Sequence, residues 1–223
     1  MSVTENLAII REKMEQACRK VNRQLDEITV IGVTKYVTIE RTEELIAAGI
    51  TNVGENRTEE LLHKYETIAK KANWHFIGTL QSRKVKDIVD KVSAIHSLDR
   101  LSVAKQINNR SDEPIDCFIQ VNISGEETKH GLREEDVIPF INELQQFEKV
   151  HVVGLMTMAP HVDNEEELRS IFRQLRKIKE SVVEQKFAHA PCNYLSMGMS
   201  NDYHIAIEEG ATHIRIGSKL VGS

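Results

Sequence analysis

Ile28-Thr29-Val30-Ile31-Gly32-Val33-Thr34-Lys35 is the stretch on which the fold turns. The run is almost entirely β-branched, the composition of a strand covered on both faces, and it ends on a lysine. In a parallel barrel the carboxyl ends of the strands open toward substrate. A lysine there, partly desolvated, can lose its proton and attack an aldehyde to form a Schiff base. A solvated lysine that merely closes a strand is the alternative this run alone leaves open.

Working outward, helical and strand patterns alternate on both sides. Upstream, Ser2 and Glu5 have capping-box spacing, and Leu7, Ile10, Met14, Cys18, Val21 and Leu25 recur at three- and four-residue steps. That predicts an amphipathic helix within residues 1–26. Downstream, strands are predicted at Thr51-Asn52-Val53-Gly54, Trp74 to Gly78, Ser93 to Ser97, Ile115 to Ile123, Val150 to Met156, Tyr194 to Met197 and His213 to Ile216. Helical spacing separates them: Glu40 to Ala48 closed by Gly49, Leu61, Leu62, Tyr65 and Ile68 on one face, a helix capped by Asp99, and a long stripe from Leu168 to Val182. An open doubly wound sheet shows the same alternation. Eight strand and helix units in 223 residues favour a single-domain α/β chain, residues 1–223, with a (β/α)8 TIM-type barrel over 28–223.

Composition narrows the function. A net charge of −5 without long single-sign blocks gives no footprint for nucleic acid. No apolar run reaches membrane-spanning length, and the charged first twenty residues are unlike a secretory leader. Cys18, Cys117 and Cys192 are odd in number and widely spaced, so neither a disulfide framework nor a CxxC metal site is drawn from them; reduced thiols in a cytoplasmic protein are the expectation. Nine histidines include no HExxH spacing, and a Gly-x-Ser-x-Gly elbow is absent.

The polar residues gather just after strands, the rim that carries chemistry in a barrel. Gly54-Glu55-Asn56-Arg57 follows the second strand, Gly78-Thr79-Leu80-Gln81-Ser82 the third, Ser196-Met197-Gly198-Met199-Ser200 the seventh and Gly217-Ser218 the eighth. Loops seven and eight commonly hold a phosphate, and Gly198, Gly217, Ser200 and Ser218 suit one. Arg215 shares a strand face with His213 and Gly217, which directs it either into the barrel or to a carboxylate at the strand end. Against a pyridine nitrogen, its guanidinium could not yield a proton and would weaken the ring as an electron sink.

Taken in order, Val33-Thr34-Lys35, Gly54-Glu55-Asn56, Trp74-His75-Phe76-Ile77-Gly78, His96-Ser97-Leu98-Asp99, Gln120-Val121-Asn122, Lys129-His130-Gly131, Gly154-Leu155-Met156, Leu195 to Ser200 and Arg215-Ile216-Gly217 resemble the pyridoxal-phosphate homeostasis protein family, the YggS/PROSC-like proteins. The resemblance implies a fold-type III barrel like the N-terminal domain of alanine racemase. It implies that Lys35 holds pyridoxal 5′-phosphate as an internal aldimine, that Ser200, Gly217 and Ser218 hold its phosphate, that Arg215 sits near the pyridine nitrogen and that Asn56 sits near the ring. The implied role is homeostatic, buffering or delivering vitamin B6 to apo-enzymes without robust turnover. Without the racemases' second domain their dimer would lose much of its interface, so a monomer is expected, and the histidine spacing gives no metal site. The alternative is an amino-acid racemase, which requires a second acid/base opposite the lysine. The family racemases take that group from a partner subunit's tyrosine. Here Tyr36, Tyr65, Tyr194 and Tyr203 offer no obvious substitute, although Tyr36 adjoins Lys35 and would point the opposite way along a strand. Two departures stand out: Ser218 replaces the usual threonine and keeps the hydroxyl, and the ending Lys219-Leu220-Val221-Gly222-Ser223 lacks the common Phe-Gly-x-Arg, which puts packing against the N-terminal helix in question.

Overall fold

A capped helix opens the chain. In the structure, a computed structural model that describes residues 1–126, 130–160, 162 and 164–222, α1 spans Val3–Lys20. Its capping box is complete: the Ser2 hydroxyl accepts the Glu5 N–H at 3.2 Å and the Glu5 carboxylate accepts the Ser2 N–H at 2.7 Å. Val3, Leu7, Ile10, Met14 and Cys18 form its buried stripe. The helix stops before Val21 and Leu25, short of the extent that their spacing predicts. Asn22 adopts the left-handed conformation at φ 54°, and Arg23 turns to donate to the carbonyls of Ile207 and Ala211 at 3.0 and 2.7 Å.

Eight parallel strands then close on themselves in sequential order: β1 Thr29–Val33, β2 Asn52–Glu55, β3 Asn73–Phe76, β4 Ala94–Leu98, β5 Ile115–Gln120, β6 Val150–Met156, β7 Tyr194–Met199 and β8 His213–Ile216. Pairing of β1 with both β2 and β8 excludes the open sheet and establishes the (β/α)8 barrel. The covering helices are α2 Ile39–Ala47, α3 Thr58–Ile68, α4 Val85–Ile88, α5 Leu101–Arg110, α6 Glu134–Leu144, α7 Glu165–Glu184, α8 Tyr203–Glu208 and α9 Ser218–Val221. Two local expectations change. Asp99 does not cap α5; Arg100 occupies the cap position, and Asp99 pairs with its guanidinium at 2.8 Å. On α3 the buried set is Thr58, Leu61, Lys64 and Ile68, with Leu62 and Tyr65 only half-buried.

Most apolar side chains lie between strands and helices, whereas Ala94, Phe118, Val153 and Met156 form a small separate cluster inside the barrel. Beside that cluster the interior is polar, with His75, His96, Ser196 and Arg215 all buried. The final segment does pack on the N-terminal helix, where Asn6 Nδ2 donates to the Leu220 carbonyl at 3.0 Å, and also on α2, where Arg41 Nε donates to the Val221 carbonyl at 3.1 Å. Lys129 and Ser223 lie outside the described residues. Among the described residues no helix is long and apolar enough to cross a membrane.

Candidate cofactor site

The register assembles the rim. Ile31 stands beside Arg215 and Val33 beside Gly54, so the residues that follow β8, β1 and β2 emerge at neighbouring points, with β7 next along. Gly217 brings its backbone close to Val33; a Cβ there would meet the Val33 side chain at 3.4 Å. The loops after β7 and β8 are tied together, because Ser200 Oγ accepts the Gly217 N–H at 3.2 Å. Ser218 is exposed at the start of α9, a one-turn helix whose first N–H groups have no partner within it. Gly198, near the end of β7, lies at φ 89° in tight contact, and a Cβ would come within 2.5 Å of the Ala206 Cβ, so the strand can leave by this path only with glycine.

Arg215 points into the barrel, which resolves the two directions its alternation allows. It is 4 % exposed, with Nη1 donating to Ser196 Oγ at 2.6 Å and Nη2 to the Thr157 carbonyl at 2.9 Å. Burial pulls its pKa down to about 10 while the Asp202 charge pushes the other way, so it remains a cation at neutral pH.

Lys35 stands just past β1, in a turn. Strand pairing ends at Val33, Thr34 donates its N–H to the Gly54 carbonyl, and Tyr36 takes a left-handed φ of 68°. Both Lys35 and Tyr36 are exposed, so the amine is less desolvated than a strand-end position suggests, and the strand alternation invoked for Tyr36 does not apply. Lys35 Nζ and the Arg57 guanidinium lie 5.8 and 5.6 Å from the centre of the Tyr36 ring.

Beneath this turn lies a cluster the sequence reading does not single out. Lys64, on α3, is 1 % exposed, and its Nζ donates to Glu55 Oε1 and to the Thr34 carbonyl, each at 2.6 Å. Thr34 Oγ1 also donates to Glu55 Oε1, at 2.6 Å. The spacing of Lys64 with Leu61 and Ile68 on one helical face is the signal that could have found it.

Asn56 follows β2 and lines a cavity of about 250 Å³ with Phe76, Thr79, Gln81 and Arg83. Its Oδ1 is buried and has no hydrogen-bond partner among the described residues, and the same holds for Ser97 Oγ. A buried amide oxygen left unpaired beside a cavity is costly unless a ligand or water meets it. Together with a cationic interior, two tied glycine-serine loops and a primary amine on the same rim, that orphan fits a phosphorylated aromatic aldehyde. Among the described residues no group of three or more His, Cys, Asp or Glu side chains is placed to hold a metal.

Comparison with known proteins agrees with this architecture. The profile of the alanine racemase N-terminal domain family matches residues 6–223. A pyridoxal phosphate homeostasis protein of Aquifex aeolicus is 39% identical over 226 residues, covering 100% of this chain and 98% of the relative, and one of Escherichia coli K12 is 31% identical over 229 residues, covering 99% and 96%. The solved structure of PipY from Synechococcus elongatus with pyridoxal phosphate bound superposes with a TM-score of 0.85 at 29% identity, covering 99% of this chain and 100% of that one. Alanine racemase of Clostridium difficile shares the fold alone, with a TM-score of 0.79 at 15% identity over 98% of this chain and 56% of the racemase. On its sequence over its full span, the chain belongs to the alanine racemase N-terminal domain family and, within it, to the pyridoxal phosphate homeostasis proteins.

Proposed function

We propose that this protein binds pyridoxal 5′-phosphate reversibly and buffers or delivers it in the cytoplasm, as a monomer that hands the cofactor to apo-enzymes without robust turnover of its own. The observation that carries the reading is the Ser200–Gly217 hydrogen bond, which joins two glycine-serine loops above the buried Arg215 on the rim that also bears Lys35. When bound, the cofactor supplies an aldehyde with which a lysine amine condenses reversibly.

The chain's own residues divide the work. Backbone N–H groups of the β7 and β8 loops, with the Ser200 and Ser218 hydroxyls, take the phosphate; Gly217 lets the backbone approach it. Arg215 offers N–H donors only, so it would hydrogen-bond an unprotonated pyridine nitrogen and would not protonate it. That withholds the electron sink needed for carbanion chemistry and suits holding the cofactor more than turning it over. Asn56 offers its orphaned amide to the ring's polar substituents. Lys35, exposed on a turn, is reachable by solvent and by a recipient protein, as reversible loading requires.

Borohydride reduction of the protein treated with pyridoxal phosphate, followed by peptide mass mapping, tests the assignment. A single phosphopyridoxyl group on Lys35 is expected. Adducts scattered over surface lysines, or an unmodified Lys35, overturn it.

A further inference from the structure

Behind Arg215 the polar interior contains an unbroken line of hydrogen bonds whose other members have no part in the cofactor contacts described above. Arg215 Nη1 donates to Ser196 Oγ at 2.6 Å; Ser196 Oγ lies 2.9 Å from His96 Nδ1; His96 Nε2 lies 3.0 Å from His75 Nδ1; and His75 Nε2 lies 3.1 Å from Asn52 Oδ1. The line crosses the barrel from β8 through β7, β4 and β3 to β2. It ends in a second cavity, of about 180 Å³, at the amino ends of the strands, lined by Asn52, His75, Asp116, Tyr194 and His213.

Both ends of the line dictate its direction. A guanidinium has no acceptor, so Ser196 Oγ must accept from Arg215 and has one proton left to give. The ring nitrogen beside it, His96 Nδ1, is then the bare acceptor of a neutral imidazole. His96 Nε2 carries the proton and donates to His75 Nδ1, and His75 Nε2–H donates to Asn52 Oδ1. At the far end Asn52 Oδ1 also accepts from Asn73 Nδ2 at 3.4 Å, which agrees with an amide oxygen turned toward His75. Reversing the line would leave the Ser196 proton without this partner and oppose two acceptors at Asn52. Burial favours the neutral rings that the line needs: His75 is pulled down to about 3, and His96 well below the usual histidine range. The His96 ring cannot swivel to escape, because it stacks on Phe118 at 4.1 Å with planes 14° apart.

We propose that His96, backed by His75, is a positioning residue for Arg215: its Nδ1 draws the Ser196 proton away from Arg215, which leaves the serine oxygen to lock the guanidinium in the orientation offered to the cofactor. The orientation toward the cofactor rests on the reading of Arg215 given above; the direction of the line does not.

Nitrogen-15 NMR of the cofactor-free protein tests the direction first. Near pH 7 both His75 and His96 are expected as neutral rings protonated on Nε2. A proton on His96 Nδ1, or a charged His96 ring, overturns the proposal. The Arg215 side-chain N–H signals test the lock: resolved in the wild type, they should average in Ser196→Ala and in His96→Phe, and partly recover in His96→Gln, whose amide oxygen can accept from Ser196. Signals unchanged in Ser196→Ala overturn the proposal even if His96→Phe does not fold. With pyridoxal phosphate added, Ser196→Ala should weaken binding roughly tenfold and move the visible absorption maximum, which a mere packing defect would leave in place. Failure of the wild type to take up pyridoxal phosphate would count against the cofactor reading alone, since the tautomer and arginine signals are read without it.

Discussion

Lys64 and Glu55 form an ion pair of 2.6 Å inside the protein, and the same ammonium grips the carbonyl of Thr34, the residue before Lys35. Lys64→Met removes one partner and strands a carboxylate whose Oε2 already lacks a hydrogen bond among the described residues. A loss of about 3–5 kcal/mol is expected, because an unpaired buried charge costs more than the pair contributes. The double variant Lys64→Met/Glu55→Leu should recover most of it. Denaturant melts of the wild type and the two variants check this, and equal losses in the single and double variants would sink it.

Ser200→Ala takes from the Gly217 N–H its acceptor and from the rim one hydroxyl. Affinity for pyridoxal phosphate should fall roughly tenfold or more, while pyridoxal without phosphate should bind with little change. Titration calorimetry with the two ligands distinguishes them. Equal weakening for both would remove Ser200 from the phosphate contacts.

Gly198→Ala should destabilise the fold by about 1–3 kcal/mol. The φ of 89° disfavours any side chain, and the new methyl would meet Ala206 and the Tyr203 backbone. Thermal melts read the stability. A variant as stable as the wild type would show that the β7 loop has another path.

Acid should destabilise this protein through its buried histidines. Burial pulls His75 down to about 3, with the His213 charge adding to the effect; burial and then the Arg215 charge pull His213 down to about 4. In the unfolded chain both titrate near an ordinary value of ~6.5. Below that pH the unfolded chain binds more protons than the native one, so stability is full above ~6.5 and is lost progressively as pH falls toward the native values. For His213 alone the loss is on the order of 3 kcal/mol. The thermal midpoint between about pH 7.5 and about pH 4.5 should fall steadily; a flat profile contradicts the assignment.

Incubation of the loaded protein with single L-amino acids in deuterated water separates carrier from racemase. No sustained α-proton exchange is expected. Exchange that continues over many turnovers and vanishes in Lys35→Ala would favour the enzyme instead.

Much of the barrel was legible because its cues are local. Strand runs and helical stripes declare themselves within a dozen residues, and strict alternation along β8 allowed Arg215 to face inward. Closure was not local: only the pairing of β1 with β8 separates the barrel from an open sheet. Lys64 is not legible, because lysine on a helix ordinarily reads as solvated and nothing near it in sequence announces Glu55 as its partner. The His96–Ser196 contact was hidden for the same reason, since it joins residues 100 positions apart. Helix α1 ended early because Asn22, a residue tolerant of left-handed backbone, broke a hydrophobic period that continues past it.

The seam where β1 meets β8 has a consequence for how the protein is made. Strands β1 and β8 come from opposite ends of the barrel sequence, and the Arg41–Val221 contact, which ties α2 to α9 outside them, spans 180 residues of chain. Contacts so distant in sequence form late and slowly, after the intervening units have collapsed. Lys35 and the Gly217 loop therefore become neighbours only in a fully closed ring, and no folding intermediate that lacks the seam presents both to a ligand. Any molecule held between them acts as a clasp on the whole barrel: it slows global unfolding and leaves the fraying of individual helices untouched.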